Sequence, residues 1–191
     1  MRNAMMIGER IYLRPLESDD AEAIARGAHD EAETFFESGR IPHSPIAFAQ
    51  WIEGLYKQQP PIEIQFAACL RENDEAIGMF GVEGIDWINR TGETGSFLFS
   101  AAHRGQGYGP EAKHLLLEYC FEQLHLEMLS SFVWEPNKRS AAAVLRQGYQ
   151  PAGRVKSRMM QDGEFRDTLV FDISRDEWLA ARAKWHEDRL R

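Results

Sequence analysis

The first apolar alternation, Arg10 to Arg14, predicts a strand that Pro15 ends. Ser18 or Asp19 should then cap a helix reaching about Ala28, with Glu22 three residues beyond Asp19 as in a capping box. Ser44 followed by Pro45 repeats the cap-then-proline signal. It opens a second helix in which Phe48, Trp51, Ile52 and Leu55 keep helical spacing, and Pro60-Pro61 stops it. Between these helices Phe35, Phe36, Ile41 and His43 follow no period.

Three strand-like runs come next, 63–70, 76–85 and 93–100, joined by turns at 72–74 and 86–92, which implies antiparallel pairing. A helix over 110–124 carries Leu115, Leu116, Tyr119, Cys120 and Leu124 on one side. A strand, Met128 to Trp134, precedes a short helix from Asn137 to Gln147, which Gly148 ends as a left-handed cap with Tyr149 as its apolar contact. Runs 150–160 and 164–173 form a hairpin about Gln161-Asp162-Gly163. Ser174 and Glu177 are a capping box for a last helix, about 174–190, with Trp178, Leu179, Arg182 and Trp185 on one side.

Composition narrows the function classes. A length of 191 residues fits one domain over 1–191 with a sizeable core. The net charge of −8 argues against nucleic acid, because no basic stripe is present to replace phosphate counterions, and it suits a cationic substrate. No apolar run approaches the roughly 20 residues of a membrane span, and the N-terminus is charged too early for a signal peptide, so a cytoplasmic protein is expected. Cys69 and Cys120 lie in apolar runs as buried thiols, and no histidines stand at metal-ligand spacing, so no metal is expected.

The stretch His103 to Gly109 carries the chemistry. Gly105, Gly107 and Gly109 allow a tight turn whose amides converge on an anion, with Gly109 as N-cap and Pro110 as the first helical residue. An ordinary glycine-rich turn is the alternative. The sequence lacks the Gly-Lys-Ser/Thr of a Walker loop and the G-x-G-x-x-G of a dinucleotide fold. Arg104-Gly105-Gln106-Gly107-Tyr108-Gly109 does resemble the Arg/Gln-x-x-Gly-x-Gly/Ala pyrophosphate loop of the GNAT family of N-acetyltransferases.

The resemblance extends over nearly the whole chain. Tyr12-Leu13-Arg14-Pro15-Leu16 resembles the family's opening, and Asn137 and Ser140 with Gly148-Tyr149 resemble its N-x-x-S/A … G-F/Y segment. Trp87 to Arg90 with Glu93-Thr94-Gly95, and the Asp162-Gly163 … Asp167 hairpin, are similar to the subgroup that acetylates ribosomal-protein N-termini. It implies an α+β fold in α/β/α layers about a mixed, largely antiparallel sheet of about seven strands.

Transfer of acetyl from acetyl-CoA, the co-substrate, to a primary amine is the implied reaction. The resemblance assigns the pyrophosphate to backbone donors of Arg104, Gly105, Gln106, Gly107, Tyr108 and Gly109. It assigns the pantetheine arm to the main chain of Phe97, Leu98 and Phe99, with an amide near Leu98 polarising the thioester carbonyl. Asn137 is either a coenzyme contact, a helix N-cap, or both. The family's frequent general-acid tyrosine is replaced by Val144, which leaves Ser140 or a water to protonate the thiolate. Glu93 is the candidate base, or a solvated strand-end charge.

The acceptor sets how much base is needed. At neutral pH an α-amine is roughly 10–15% neutral and a lysine-type amine about 0.04%, a difference of roughly 3 to 4 kcal/mol. One candidate carboxylate and no tyrosine lean towards a protein N-terminal α-amine of the ribosomal-protein kind. An aminoglycoside or polyamine acceptor is the alternative, and a non-catalytic acyl-CoA-binding module is the alternative of another class. The resemblance is compatible with a homodimer. His43, Phe35, Phe36 and Trp51 are either acceptor-groove or structural residues.

Overall fold

A computed structural model describes residues 1–30, 44–161 and 163–189. Its strands are β1 (Met6–Ile7), β2 (Ile11–Pro15), β3 (Ile64–Leu70), β4 (Ala76–Asp86), β5 (Thr91–Leu98), β6 (Met128–Trp134), β7 (Gln150–Gln161) and β8 (Glu164–Ser174). Its helices are α1 (Ala21–Asp30), α2 (Pro45–Leu55), α3 (Tyr108–Glu118), α4 (Lys138–Arg146) and α5 (Arg175–Arg189). The strands form one sheet in the order β1-β2-β3-β4-β5-β6-β8-β7. Neighbours are antiparallel except β5 and β6, which run parallel.

The sheet separates two apolar layers. On one face Ile24 of α1 and Ile52 of α2 pack with Tyr12, Ala67 and Phe97. On the other, Leu116 and Leu117 of α3 join Val133, Val144, Tyr149 and Trp178 of α5. Each such buried aliphatic side chain contributes about 1.5–3 kcal/mol. The α/β/α layering expected from the sequence is the one observed. Among the described residues the sheet has eight strands rather than about seven, because the chain turns back at Gly8, whose amide donates to Ile11 O, and adds β1 to the edge of β2.

Local signals place most ends. Ser44 caps α2 through its side chain to Ala47 N. Ser174 and Glu177 exchange capping bonds of 2.8 and 3.3 Å. Gly148, at φ +103°, ends α4 with Gly148 N–H to Leu145 O and Tyr149 N–H to Val144 O, the Schellman pattern.

Three helix ends differ from the sequence expectation. The first capping box is Glu17 with Asp20, not Asp19 with Glu22, because the Asp20 carboxylate also holds the buried Arg14 at 2.7 Å from both oxygens. Helix α3 begins at Tyr108 with Gly107 as its N-cap, so Pro110 is the third helical residue rather than the first. A proline fits there because the first-turn N–H groups have no intrahelical acceptor in any case. The last turn of that helix, Tyr119–Gln123, is π-helical, with Leu124 N–H reaching Tyr119 O.

Candidate active site

The parallel ladder between β5 and β6 is short. It registers Thr91 with Met128, Gly92 with Leu129 and Glu93 with Ser130, and then ends. Side chains bind one further rung: Ser131 Oγ donates to Thr94 O at 3.3 Å and Thr94 Oγ1 donates to Ser130 O at 3.2 Å. Beyond it β6 stays paired to β8 up to Trp134, while β5 stays paired to β4 up to Leu98. The two strands therefore enclose an opening that is closed at Thr94 and wide at Leu98.

Hydrogen-bond alternation decides which main-chain groups of β5 face that opening. Phe99 N–H donates to Ile77 O, so residues opposite in the same phase, Phe97 and Met79, Gly95 and Gly81, Glu93 and Glu83, bond β5 to β4. Thr94, Ser96 and Leu98 then point their N–H and C=O groups the other way, into the opening. Of the three residues expected to hold an extended arm, Leu98 is in the right phase and Phe97 and Phe99 are not. Phe99 is also turned towards α1, since a Cβ on Gly27 would lie 2.8 Å from its carbonyl. Ser96, not singled out in the sequence, also faces the opening.

The wide end leads into the glycine segment. Gly105 (φ +73°) and Gly107 (φ +86°) are left-handed, and a Cβ on Gly105 would meet nothing within 4 Å. Tyr108 and Gly109 supply first-turn N–H groups at the positive end of α3, the arrangement that suits a phosphate. Arg104 differs: its N–H donates to Ala101 O and closes the short helical turn before the loop. Gln106 has its side-chain amide on Ala102 O, and its carbonyl accepts from Arg10 Nη1 at 2.8 Å.

Arg10 and Glu111, not singled out in the sequence, brace this loop. The buried Glu111 carboxylate accepts from Arg10 N at 2.8 Å and Ile11 N at 3.4 Å, and the Arg10 guanidinium lies 4.7 Å over the Tyr108 ring. The start of β2 is thereby tied to the first turn of α3.

Asn137 caps α4, its Oδ1 accepting from Ser140 N at 3.0 Å. Ser140, in the first turn, is half-buried and lies one turn before Val144 on the same side of α4. Val144 is 5% exposed and belongs to the core. Glu93 is half-buried and shares its face of β5 with Phe97, hence the side of α1 and α2. Glu83 stands directly opposite it on β4. On the next strand Gln65 lies against Gly81 and donates to Glu63 at 3.1 Å, so Glu63, Glu83 and Glu93 share this end of one face. Thr94 and Leu98 look to the opposite face, that of α3.

Trp51 sits half-buried on α2, 6.5 Å edge-on to Phe48. His43, Phe35 and Phe36 lie outside the described residues. Among the described residues no cluster of three or more His, Cys, Asp or Glu could hold a metal, and no helix is long and apolar enough to cross a membrane.

Residues 10–150 match the acetyltransferase (GNAT) domain. This chain belongs to the GNAT acetyltransferases. The Bacillus subtilis protein described as uncharacterized N-acetyltransferase YoaA is 27% identical over 168 residues, 86% of this chain and 93% of that protein. The spermidine/spermine N-acetyltransferase SpeG of Vibrio cholerae, in mutant form, superposes with a TM-score of 0.76 at 18% identity over 91% of this chain and 98% of its own. Mycobacterium smegmatis RimJ, solved with CoA-disulfide, gives 0.74 at 22% identity over 87% and 83%. At those identities the two structures speak for the fold alone.

The protein is accordingly an acetyl-CoA-dependent N-acetyltransferase. Its β5–β6 opening, with main-chain groups of Ser96 and Leu98 facing it and a glycine nest at its mouth, fits the two parts of the coenzyme: an amide-bearing arm and a pyrophosphate.

Proposed function

We propose that the enzyme acetylates the α-amine of a protein N-terminus, with the coenzyme arm laid against β5 and its pyrophosphate on the amides of 105–109. The observation that carries this reading is the end of the β5–β6 ladder at Glu93 and Ser130, beside the left-handed loop. The arm completes the ladder that β6 abandons, and Leu98 N–H is the donor in phase to polarise the thioester carbonyl. Asn137 keeps its amide nitrogen for the arm while its oxygen caps α4. Ser140, at the helix start, hydrogen-bonds the departing sulfur.

Glu93 is the proposed base. Its face of the sheet is the α1–α2 side, opposite that of α3, so an acceptor amine there approaches from the side away from α3. A polyamine acceptor is the second reading, and the row Glu63, Glu83 and Glu93 favours it. Adjacent strands are about 4.8 Å apart, so the row offers several negative charges to a multiply charged chain.

Two measurements test the proposal. Gly107→Glu puts a side chain and a negative charge into the anion nest and should abolish coenzyme A binding by calorimetry; unchanged affinity sinks the site. Mass spectrometry of acetyl transfer onto peptides, polyamines and aminoglycosides identifies the acceptor, and transfer to polyamines alone overturns the first reading.

A further inference from the structure

Strand β7 carries Arg154, Lys156 and Arg158 and no acidic residue, within a chain of net charge −8. Its pairing with β8 is interrupted. Val155 registers with Thr168 and Met159 with Arg166, so residues 156–158 stand opposite Asp167 alone. The Asp167 carboxylate pins this bulge, accepting from Ser157 N–H at 2.9 Å and pairing with Arg154 Nε at 3.1 Å. Ser157 is held at φ +51°, a left-handed conformation that costs energy for a residue with a Cβ.

The bulge changes where Arg158 points. Val155, Thr168 and Trp134 stand opposite one another across β7, β8 and β6, on one face of the sheet. That face is turned away from α3, since Leu129 and Val133 of β6 belong to the α3 layer. Unbroken alternation would place residue 158 with Arg154, whose partner Leu169 packs on the α3 layer. Instead the Arg158 guanidinium lies 5.1 Å over the ring of Phe132, which shares the face of Trp134. It has no carboxylate partner among the described residues. A guanidinium resting on an aromatic face is oriented by it and keeps its N–H donors for a further partner.

Phe132 borders the β5–β6 opening. It lies two residues past Ser130, where the registered ladder with β5 ends, and on the same face as Glu93. Between Glu93 and Phe97 on that face stands Gly95, exposed, where a Cβ would meet nothing within 4 Å among the described residues. Its partner on β4, Gly81, is covered: a Cβ there would run into the Gln65 side chain. The free space beside Glu93 therefore opens over Gly95 towards β6 and Phe132, not towards β4. Glycine within a strand suits close approach by a ligand. A strand spacing of about 4.8 Å and a rise of about 3.3 Å per residue put Phe132 Cα roughly 8 Å from Glu93 Cα.

We infer that Arg158 selects the acceptor by pairing with a carboxylate on the second or third residue of the N-terminus being acetylated, so that acidic N-termini are preferred. This rests on the reading of the acceptor as a protein α-amine. With its amine at Glu93, an extended peptide crossing Gly95 advances about 3.3 Å per residue, which brings its second and third residues beneath the guanidinium. Arg158 offers a carboxylate two parallel N–H donors and repels an ammonium in the same place. A peptide with lysine there, or a polyamine laid across β6, is disfavoured.

The test follows acetyl transfer from acetyl-CoA to peptides that share one N-terminal residue and carry glutamate, glutamine or lysine at the second and third positions. The full chain is used, with mass spectrometry as the readout. Wild type should prefer the glutamate peptide to the lysine peptide by about tenfold in kcat/KM, mostly through KM. Arg158→Glu should reverse that order, and Arg158→Gln should bring the three peptides within about twofold of one another. In about 0.5 M salt the wild-type preference should shrink, because the contact is exposed to solvent. A wild type that acetylates all three peptides alike, or a preference that Arg158→Glu leaves in place, overturns this inference alone. No transfer to any of the peptides overturns the α-amine reading and this inference with it. Should the variants not fold, a wild-type preference that salt leaves unchanged overturns the inference equally.

Discussion

Gly107 gives the sharpest test of the anion loop, because replacing it with alanine perturbs two quantities that geometry separates. At φ +86° an alanine costs about 1–2 kcal/mol relative to glycine. Its Cβ would also stand 2.8 Å from Arg10 Nη2, inside contact distance, so the guanidinium must move. That movement weakens the bond to Gln106 O and the stacking on Tyr108, together about 1 kcal/mol for a half-exposed arginine. The free loop relaxes to relieve this strain, turning the Tyr108 amide away from the anion, and binding must restore the strained shape. That cost is read in coenzyme affinity, at about 2–3 kcal/mol or roughly 30- to 150-fold in Kd. Gly105→Ala is the internal control: at φ +73° with nothing within 4 Å, it carries the backbone term alone, roughly 5- to 30-fold. Titration calorimetry with coenzyme A on both variants, each checked by thermal melting, makes the comparison. A Gly107→Ala protein that binds as tightly as wild type, or a Gly105→Ala protein that binds less tightly than Gly107→Ala, refutes the reasoning.

Glu93→Gln should remove the acidic limb of the pH–kcat/KM profile, and an identical profile would leave the base elsewhere. Ser140→Ala should lower kcat and leave coenzyme affinity within about twofold, since Asn137 still caps α4; single-turnover kinetics with calorimetry read both. His114 is buried against Trp185, and burial, then His186 and Arg182, take it down from 6.5 to about 4. The folded state therefore binds fewer protons than the unfolded one between those values. Stability present above pH 6.5 should fall by up to about 3 kcal/mol as pH drops towards 4. His114→Phe should flatten that part of the urea-melt profile, and an unchanged acid slope counts against it. Lys113 of α3 is 1% exposed, and burial pulls its ammonium down to about 7, so Lys113→Met should raise stability at pH 7, and a lower midpoint in denaturant counts against that reading.

What could be read from the sequence is what local chemistry specifies. Ser44 before Pro45, Gly148 after α4 and Ser174 with Glu177 are caps whose partners lie within a few residues, and each is found where its signal stands. Gly109 was a reasonable cap on the same logic. Gly107 takes that place because a proline fits anywhere in the first turn, so Pro110 does not mark its first residue. Which main-chain groups of β5 face the opening was not legible. Whether Phe97 or Leu98 faces the opening depends on which of them bonds to β4, and one residue of register reverses the answer. Glu83 beside Glu93 has the same origin, in strand pairing rather than in sequence spacing. Lys113 did leave a local trace, a charged residue inside the apolar stripe of α3. Its neighbour Tyr149, with Thr94 beyond, is brought to it only by the fold.

The alternation that hid the phase of β5 also divides its side chains between the two layers. Consecutive residues Glu93 and Thr94 emerge on opposite faces, the first towards α1 and α2, the second towards Tyr149 and α3. With the sheet between them, Glu93 holds up the proton affinity of Lys113 on α3 only weakly against burial. Val144, where the resemblance leads one to expect a tyrosine, packs in the same core as Tyr149, whose ring lies 5.5 Å from the Lys113 ammonium.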